Sequence, residues 1–415
     1  MSSGPRTKLD GFDGLRALAA LTVLTYHVAL TRGYSPAGSL APFLWELKGG
    51  VAIFFIISGL LLYLPYARAI REGGELPDWR AYARRRGVRI LPAYWVALTA
   101  LAVGPFNADV FGPDAGTYYG LSQIYNSQTL FGGLGVAWSL CVEVTFYAFL
   151  PVFAGLVAWR CRRSGGTRLQ VTWIAIAGLA SLGLRGALGA SLTGAFHDHG
   201  ETLMVSLPGL LDWFAIGMGL AVLRAELEAG RARRFAATAL ARRPDLCVLL
   251  AFAAFMAGVP VQHGDIFLPW YGLATHVAIG LGSGLLVLAV IVPRSEGANR
   301  WPLRVLTSPA ATWVGTISYG IYLWHFPVLE LIDQVWMPTH SSTVMKVGFV
   351  WAGVLAGALL LGAASFYLVE EPARRLLRRR ENRTRMPGRP GRNAEIVQPS
   401  MDTLNSTGVA VDHLA

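Results

Sequence analysis

Apolar residues along this chain gather into ten runs, near residues 14–31, 50–67, 88–106, 136–158, 169–190, 203–223, 245–261, 272–292, 311–332 and 343–369. Each run is about 17–27 residues long, the length at which a helix crosses a hydrocarbon core of about 30 Å. A segment facing lipid must satisfy its own backbone hydrogen bonds, so helices are expected rather than open strands. The pattern predicts an all-α, polytopic membrane protein with about ten transmembrane helices. Residues 1–375 form one transmembrane domain, and 376–415 form a basic, disordered cytoplasmic tail rich in Arg, Pro, Gly and Asn.

Basic residues punctuate the runs. Under the ten-helix count, every second loop together holds 31 of the 36 Lys and Arg residues. The positive-inside rule then places both termini in the cytoplasm. The longest loop on the other side, Asn107 to Gly135, carries Tyr118, Tyr119 and Tyr125. It reads equally as a lid or acceptor surface and as an interfacial aromatic belt.

Composition sharpens the class. Hydrophobic residues make up 53% and charged residues 15%, against about 25% charged in ordinary soluble domains, and the mean hydropathy is +0.45. This excludes a disordered chain, a collagen and an ordinary cytosolic enzyme. The net charge of +11 would suggest nucleic acid in a soluble protein. Here the charges sit where topology requires them, so the expected partner is the lipid bilayer and not nucleic acid. Cys141, Cys161 and Cys247 have no pair spacing, which implies neither a disulfide framework nor a metal site. Met1 to Leu9 lacks the shape of a signal peptide, and the first run is expected to be retained.

Ionisable residues inside the runs are costly and point to function. Arg16 and His27 are eleven residues apart in the first run, so they share a helix face about 16 Å apart along the axis. Arg84, Arg85, Arg86 and Arg89 precede the third run; they read as topology signals or as an anion site, since guanidinium forks match phosphate oxygens. Glu143 lies about 10 Å inside the fourth run, which calls for a partner or a wet cavity. Ser318, Tyr322 and His325 are spaced to share one face, and Pro327 is expected to bend that helix. Asp212 and Arg185 are further buried charges that can pair. His197-Asp198-His199 reads as a solvated turn rather than a metal site.

Six segments in order resemble the acyltransferase-3 family of bacterial integral membrane acyltransferases. Arg16 to His27 matches its Arg, ten residues, His motif. Gly50 to Gly59 matches its second-helix signature, and Arg86-Gly87-Val88-Arg89 its Arg-x-x-Arg motif. Trp138-Ser139 with Val142-Glu143 and Phe146-Tyr147 matches a Trp-Ser-Leu-Ser-Val-Glu pattern, with Cys141 where the family has Ser. Ser318 to Pro327, with Tyr319 and His325, and Glu370-Glu371-Pro372 complete the set.

The resemblance implies a multi-pass O-acyltransferase of the bacterial cell membrane. It implies transfer of an acyl group, often acetyl, from acyl-CoA to a hydroxyl of a glycan, lipid-linked sugar or macrolide. Acyl-CoA is a co-substrate, and no bound cofactor is expected. Arg86 and Arg89 would dock the donor's phosphates, Arg16 would line its path, and His27 would act as general base. Glu143 would orient His27 or hold acceptor hydroxyls, and Tyr147, Ser318, Tyr319 and His325 would line the substrate site. Many relatives carry an added hydrolase-like domain; without one, the membrane part is expected to complete the reaction alone or with a separate partner. The alternative is a secondary transporter or flippase for a lipid-linked sugar.

Overall fold

The computed structural model describes residues 11–31, 41–104, 110–164, 166–191, 202–236, 238–259, 269–292, 301–335 and 343–384, and their regular structure is all helical. The main helices are α1 (Phe12–Thr31), α2 (Gly50–Glu72), α3 (Trp79–Val103), α4 (Trp138–Ser164), α5 (Gly166–Ser191) and α6 (Leu207–Glu228). They continue with α7 (Pro244–Gly258), α8 (Pro269–Ile291), α9 (Pro309–Thr316), α10 (Ser318–Val335), α11 (Thr343–Ser365) and α12 (Glu371–Thr384).

Seven helices among the described residues are long and apolar enough to cross a membrane, which corrects the expectation of about ten. They are α2 to α6, α8, and α11 running on into α12. Three apolar runs fall short for separate reasons. α1 spends Asp13, Arg16, Tyr26 and His27 within 20 residues. α7 has 15 residues, about 22 Å. The run at 311–332 breaks at Ile317 into α9 and α10, and α10 carries His325, Glu330 and Asp333. α10 continues through Pro327. The alternation of loops that placed the termini loses its basis with the count.

α2 is the most enclosed of the spanning helices, and glycines set how closely it is approached. A Cβ on Gly59 would lie 2.3 Å from the Phe214 carbonyl oxygen, and one on Gly217 would lie 2.1 Å from that of Ile56. The α2 and α6 backbones therefore touch, as small residues permit between helices in lipid. α1 packs against α2, α9, α10 and α11 with Leu15, Ala19 and Leu24 fully buried. Thus a helix too polar to face lipid is shielded from it by the bundle. α5 is peripheral, with most of its surface outward.

The charged ends meet on one side. Arg68 at the end of α2 bonds Glu228 at the end of α6 through two contacts of 2.9 Å. Arg84 at the start of α3 reaches Glu381 of α12 at 3.1 Å. Residues 376–384 of the tail thus continue a docked helix, and 385–415 lie outside the described residues. The first turn of α3 is capped by Asp78, whose side chain accepts from the Arg80 and Ala81 amides at 3.1 and 3.2 Å. Those amides hold the Asp78 carboxyl below its usual range.

At the opposite end, residues 110–135 fold onto the bundle. Tyr94 Oη donates to the Tyr118 carbonyl at 2.7 Å, and Trp95 Nε1 to that of Tyr119 at 3.0 Å. Tyr118 is buried, and Tyr125 is exposed. This segment caps the bundle as a packed surface.

Candidate active site

α1 and α10 bring together two histidines 298 positions apart in sequence. Nδ1 of His325 lies 3.2 Å from the Ile321 carbonyl, which requires a proton on that nitrogen and leaves the lone pair on Nε2. That lone pair faces Nδ1 of His27 at 3.1 Å, and the same Nδ1 lies 2.9 Å from the Val23 carbonyl. One N–H on His27 Nδ1 serves both acceptors, so the His27 lone pair belongs to Nε2. Phe326 packs edge-on against His27, with ring centroids 5.4 Å apart. His27 is thereby fixed in orientation and tautomer by a carbonyl of its own helix and a second imidazole.

Tyr322, whose ring lies 5.7 Å from that of His325, also lines a pocket of about 60 Å³, room for a few water molecules, whose lining does not include the two histidines. Arg16, Arg89, Ser58, Glu143, Ser318, Tyr319 and Tyr322 line it. Glu143 Oε1 accepts from Ser58 Oγ and from Tyr147 Oη, each at 2.7 Å. Tyr322 Oη lies 2.7 Å from Ser139 Oγ and donates to the Val136 carbonyl at 3.0 Å, which ties α10 to the start of α4. Tyr319 Oη donates to the Ile90 carbonyl at 2.8 Å, which ties α10 to α3. Arg16 keeps a 3.4 Å contact with Asp13 and still reaches the cavity.

The sequence candidates therefore fall into three groups. Arg16, Arg89, Glu143, Ser318 and Tyr319 share the cavity. His27 and His325 form the adjacent pair, and Tyr322 belongs to both, its ring 5.7 Å from that of His325. Arg86 stands apart from the cavity lining, with its guanidinium 5.9 Å from the ring centre of Tyr147, the residue that donates to Glu143. Of the two roles open to Glu143, the hydrogen bonds do not include His27. Asp212 pairs with His276 at 2.8 Å, while Arg185 donates to the Gly209 and Met204 carbonyls.

Two residues without an assigned role join the site. Ser58 is a hydroxyl inside the apolar stretch from Val51 to Leu62, and that interruption was its signal. Glu370 is buried in a π-helical turn, Phe366–Glu370, with Oε2 held by Arg374 at 2.7 Å. Such turns inside α-helices are frequent at functional sites. No group of three or more metal-binding side chains occurs among the described residues, and His197-Asp198-His199 lies outside them.

Residues 9–368 match the acyltransferase-3 family model, described as an acyltransferase domain. The chain belongs to the acyltransferase-3 family. It is 24% identical to the peptidoglycan O-acetyltransferase OatA of Listeria monocytogenes, over 89% of this chain and 56% of OatA. It is equally similar to YrhL of Bacillus subtilis, provisionally named a peptidoglycan O-acetyltransferase, over 88% of this chain and 55% of YrhL. BcsY of Komagataeibacter xylinus, provisionally named a membrane-bound transacylase, is 27% identical over 88% of this chain and 83% of BcsY. The chain thus spans about half the length of the first two relatives. No solved structure matches it. For this family member, the matched region contains the histidine pair and every cavity residue named above, and Glu370 lies just beyond its end.

Proposed function

We propose that this protein is a bacterial membrane O-acyltransferase that moves an acetyl group from acetyl-CoA to a carbohydrate hydroxyl. The observation that carries the reading is the His27–His325 pair, linked through Tyr322 to a pocket that holds Arg16, Arg89 and Glu143. The acceptor hydroxyl attacks the thioester carbonyl as its proton passes to Nε2 of His27. The C–S bond breaks, and coenzyme A leaves as the thiol, taking up that proton. His325 and Val23 keep the Nδ1 proton in place, so Nε2 is the basic atom. The arginine-rich end faces the cytoplasm, where acyl-CoA is made, and Arg86 and Arg89 meet the donor's phosphates. Arg16, Arg89, Ser318 and Tyr319 line the donor's approach, and Glu143, held by Ser58 and Tyr147, binds hydroxyls of the acceptor. The transporter alternative has no observation in its favour, and the relatives' names support acyl transfer.

The test is acetyl-CoA turnover by purified protein in lipid, with glycan fragments offered as acceptors. Acceptor-dependent thiol release, lost on His27→Ala, is expected. Equal release by the parent and the His27→Ala protein would overturn the assignment of the base.

A further inference from the structure

A second concavity lies far from this chemistry, and its inference does not rest on the acyl-transfer reading. α4, α5 and α6 enclose a groove of about 700 Å³ whose walls are almost entirely apolar. It exists because α5 presents small side chains there, Ala177 and Ala180, opposite the larger residues of α4. Its hydroxyl, Ser181, turns away to Asp212 at 3.4 Å, so the groove offers no polar floor to a sugar or nucleotide. All three helices are long and apolar enough to cross the membrane, so the groove opens toward hydrocarbon.

Along α4 it extends from Phe149 to Arg160, eleven residues and about 16 Å. That is roughly half of a 30 Å hydrocarbon core, the depth of one leaflet, and too short for a spanning helix of a partner. The end toward the basic side carries Trp159, Trp173 and Arg160. Both tryptophans are partly exposed, as in an interfacial belt. The Arg160 guanidinium lies 5.7 Å from the Trp159 ring centre, and Arg160 makes no ion pair among the described residues. A guanidinium at the interface recognises a phosphate oxygen through its fork, and an anionic headgroup offers that phosphate without an ammonium of its own to compete.

We propose that this groove binds one anionic phospholipid of the adjacent leaflet, its chain between α4, α5 and α6 and its phosphate on Arg160. The full-length protein, reconstituted in phosphatidylcholine, is titrated with chain-brominated phosphatidylglycerol or chain-brominated phosphatidylcholine while tryptophan fluorescence is followed. The groove signal is the emission lost on Trp159→Phe with Trp173→Phe. It is expected to be half-quenched at a several-fold lower mole fraction of the brominated phosphatidylglycerol. Arg160→Gln, a change on the exposed rim, is expected to erase that preference. Ala177→Phe with Ala180→Phe is expected to reduce quenching by both lipids. Equal quenching of the parent by the two lipids would overturn the proposal, as would an unchanged preference in Arg160→Gln.

Discussion

At the scale of single residues, the site rests on hydrogen bonds that fix one tautomer. His27→Ala is expected to lower acyl transfer about 10²- to 10⁴-fold, the usual contribution of a positioned general base. In the proposed reaction His325 acts through its 3.1 Å contact with His27, as a positioning residue, and a smaller effect is expected. His325→Ala removes one of the two acceptors on His27 Nδ1 and leaves the Val23 carbonyl. A loss of about tenfold in kcat is expected, the net worth of about one hydrogen bond, with KM for acetyl-CoA unchanged. His325→Gln keeps an acceptor and is expected to recover part of the loss; steady-state kinetics of the three variants check the order. Both histidines were legible as candidates from the sequence. Their contact was not, because it depends on how α1 and α10 pack across 298 residues. Ser58 was legible only as a polar interruption. Its bond to Glu143 emerges where α2 meets α4.

At the scale of elements, hydropathy located the helices better than it counted the spans. Runs such as 50–67 and 203–223 lie within or across α2 (Gly50–Glu72) and α6 (Leu207–Glu228), with ends four to five residues apart at three of the four bounds. α1 and α10 are apolar in the same local sense but owe their shielding to neighbours, which a window along one sequence does not contain, and α7 is apolar but short. The α2–α6 contact gives a direct prediction. A Cβ on Gly217 would lie 2.1 Å from the Ile56 carbonyl, so Gly217→Ala must part the two backbones. The expected cost is about 1–3 kcal/mol, read as a lower thermal midpoint in detergent, with activity falling because Ser58 rides on α2. The cap of α3 gives another. The Asp78 carboxylate has a depressed folded pKa, so its stabilisation is present above the ordinary Asp range and is lost as pH falls through the folded value. Hydrogen exchange at the Arg80 and Ala81 amides should therefore quicken, relative to neighbouring amides, on acidification. In Asp78→Ala it should already be fast at neutral pH, and in Asp78→Ser it should stay close to the parent.

At the scale of the whole molecule, the asymmetry of charge links topology to donor binding. The ends of α2 and α6, the start of α3 and the docked α12 make one basic end, and residues 110–135 cover the other. If the basic end is cytoplasmic, a cysteine at exposed Ser127 should react with an impermeant thiol reagent from outside, and one at exposed Arg231 should not. The donor-site reading of Arg86 and Arg89 needs a sharper test, because charge alone would satisfy topology. Lys keeps the charge and loses the planar fork. Arg86→Lys with Arg89→Lys should leave the labelling pattern intact and raise the KM for acetyl-CoA by about tenfold, the scale of one charge-assisted hydrogen bond. Added salt should weaken donor binding to the parent, since the exposed Arg84 and Arg85 beside these half-buried residues are screened over about 8–10 Å. Arg231→Lys is the control at the same basic end; Arg380 is unsuitable because it shares a cleft with Arg84. An equal rise in KM from the control would mean that any cation at this end suffices. Arg86 and Arg89 would then serve insertion, and the donor phosphates would have to be sought at another part of the basic face.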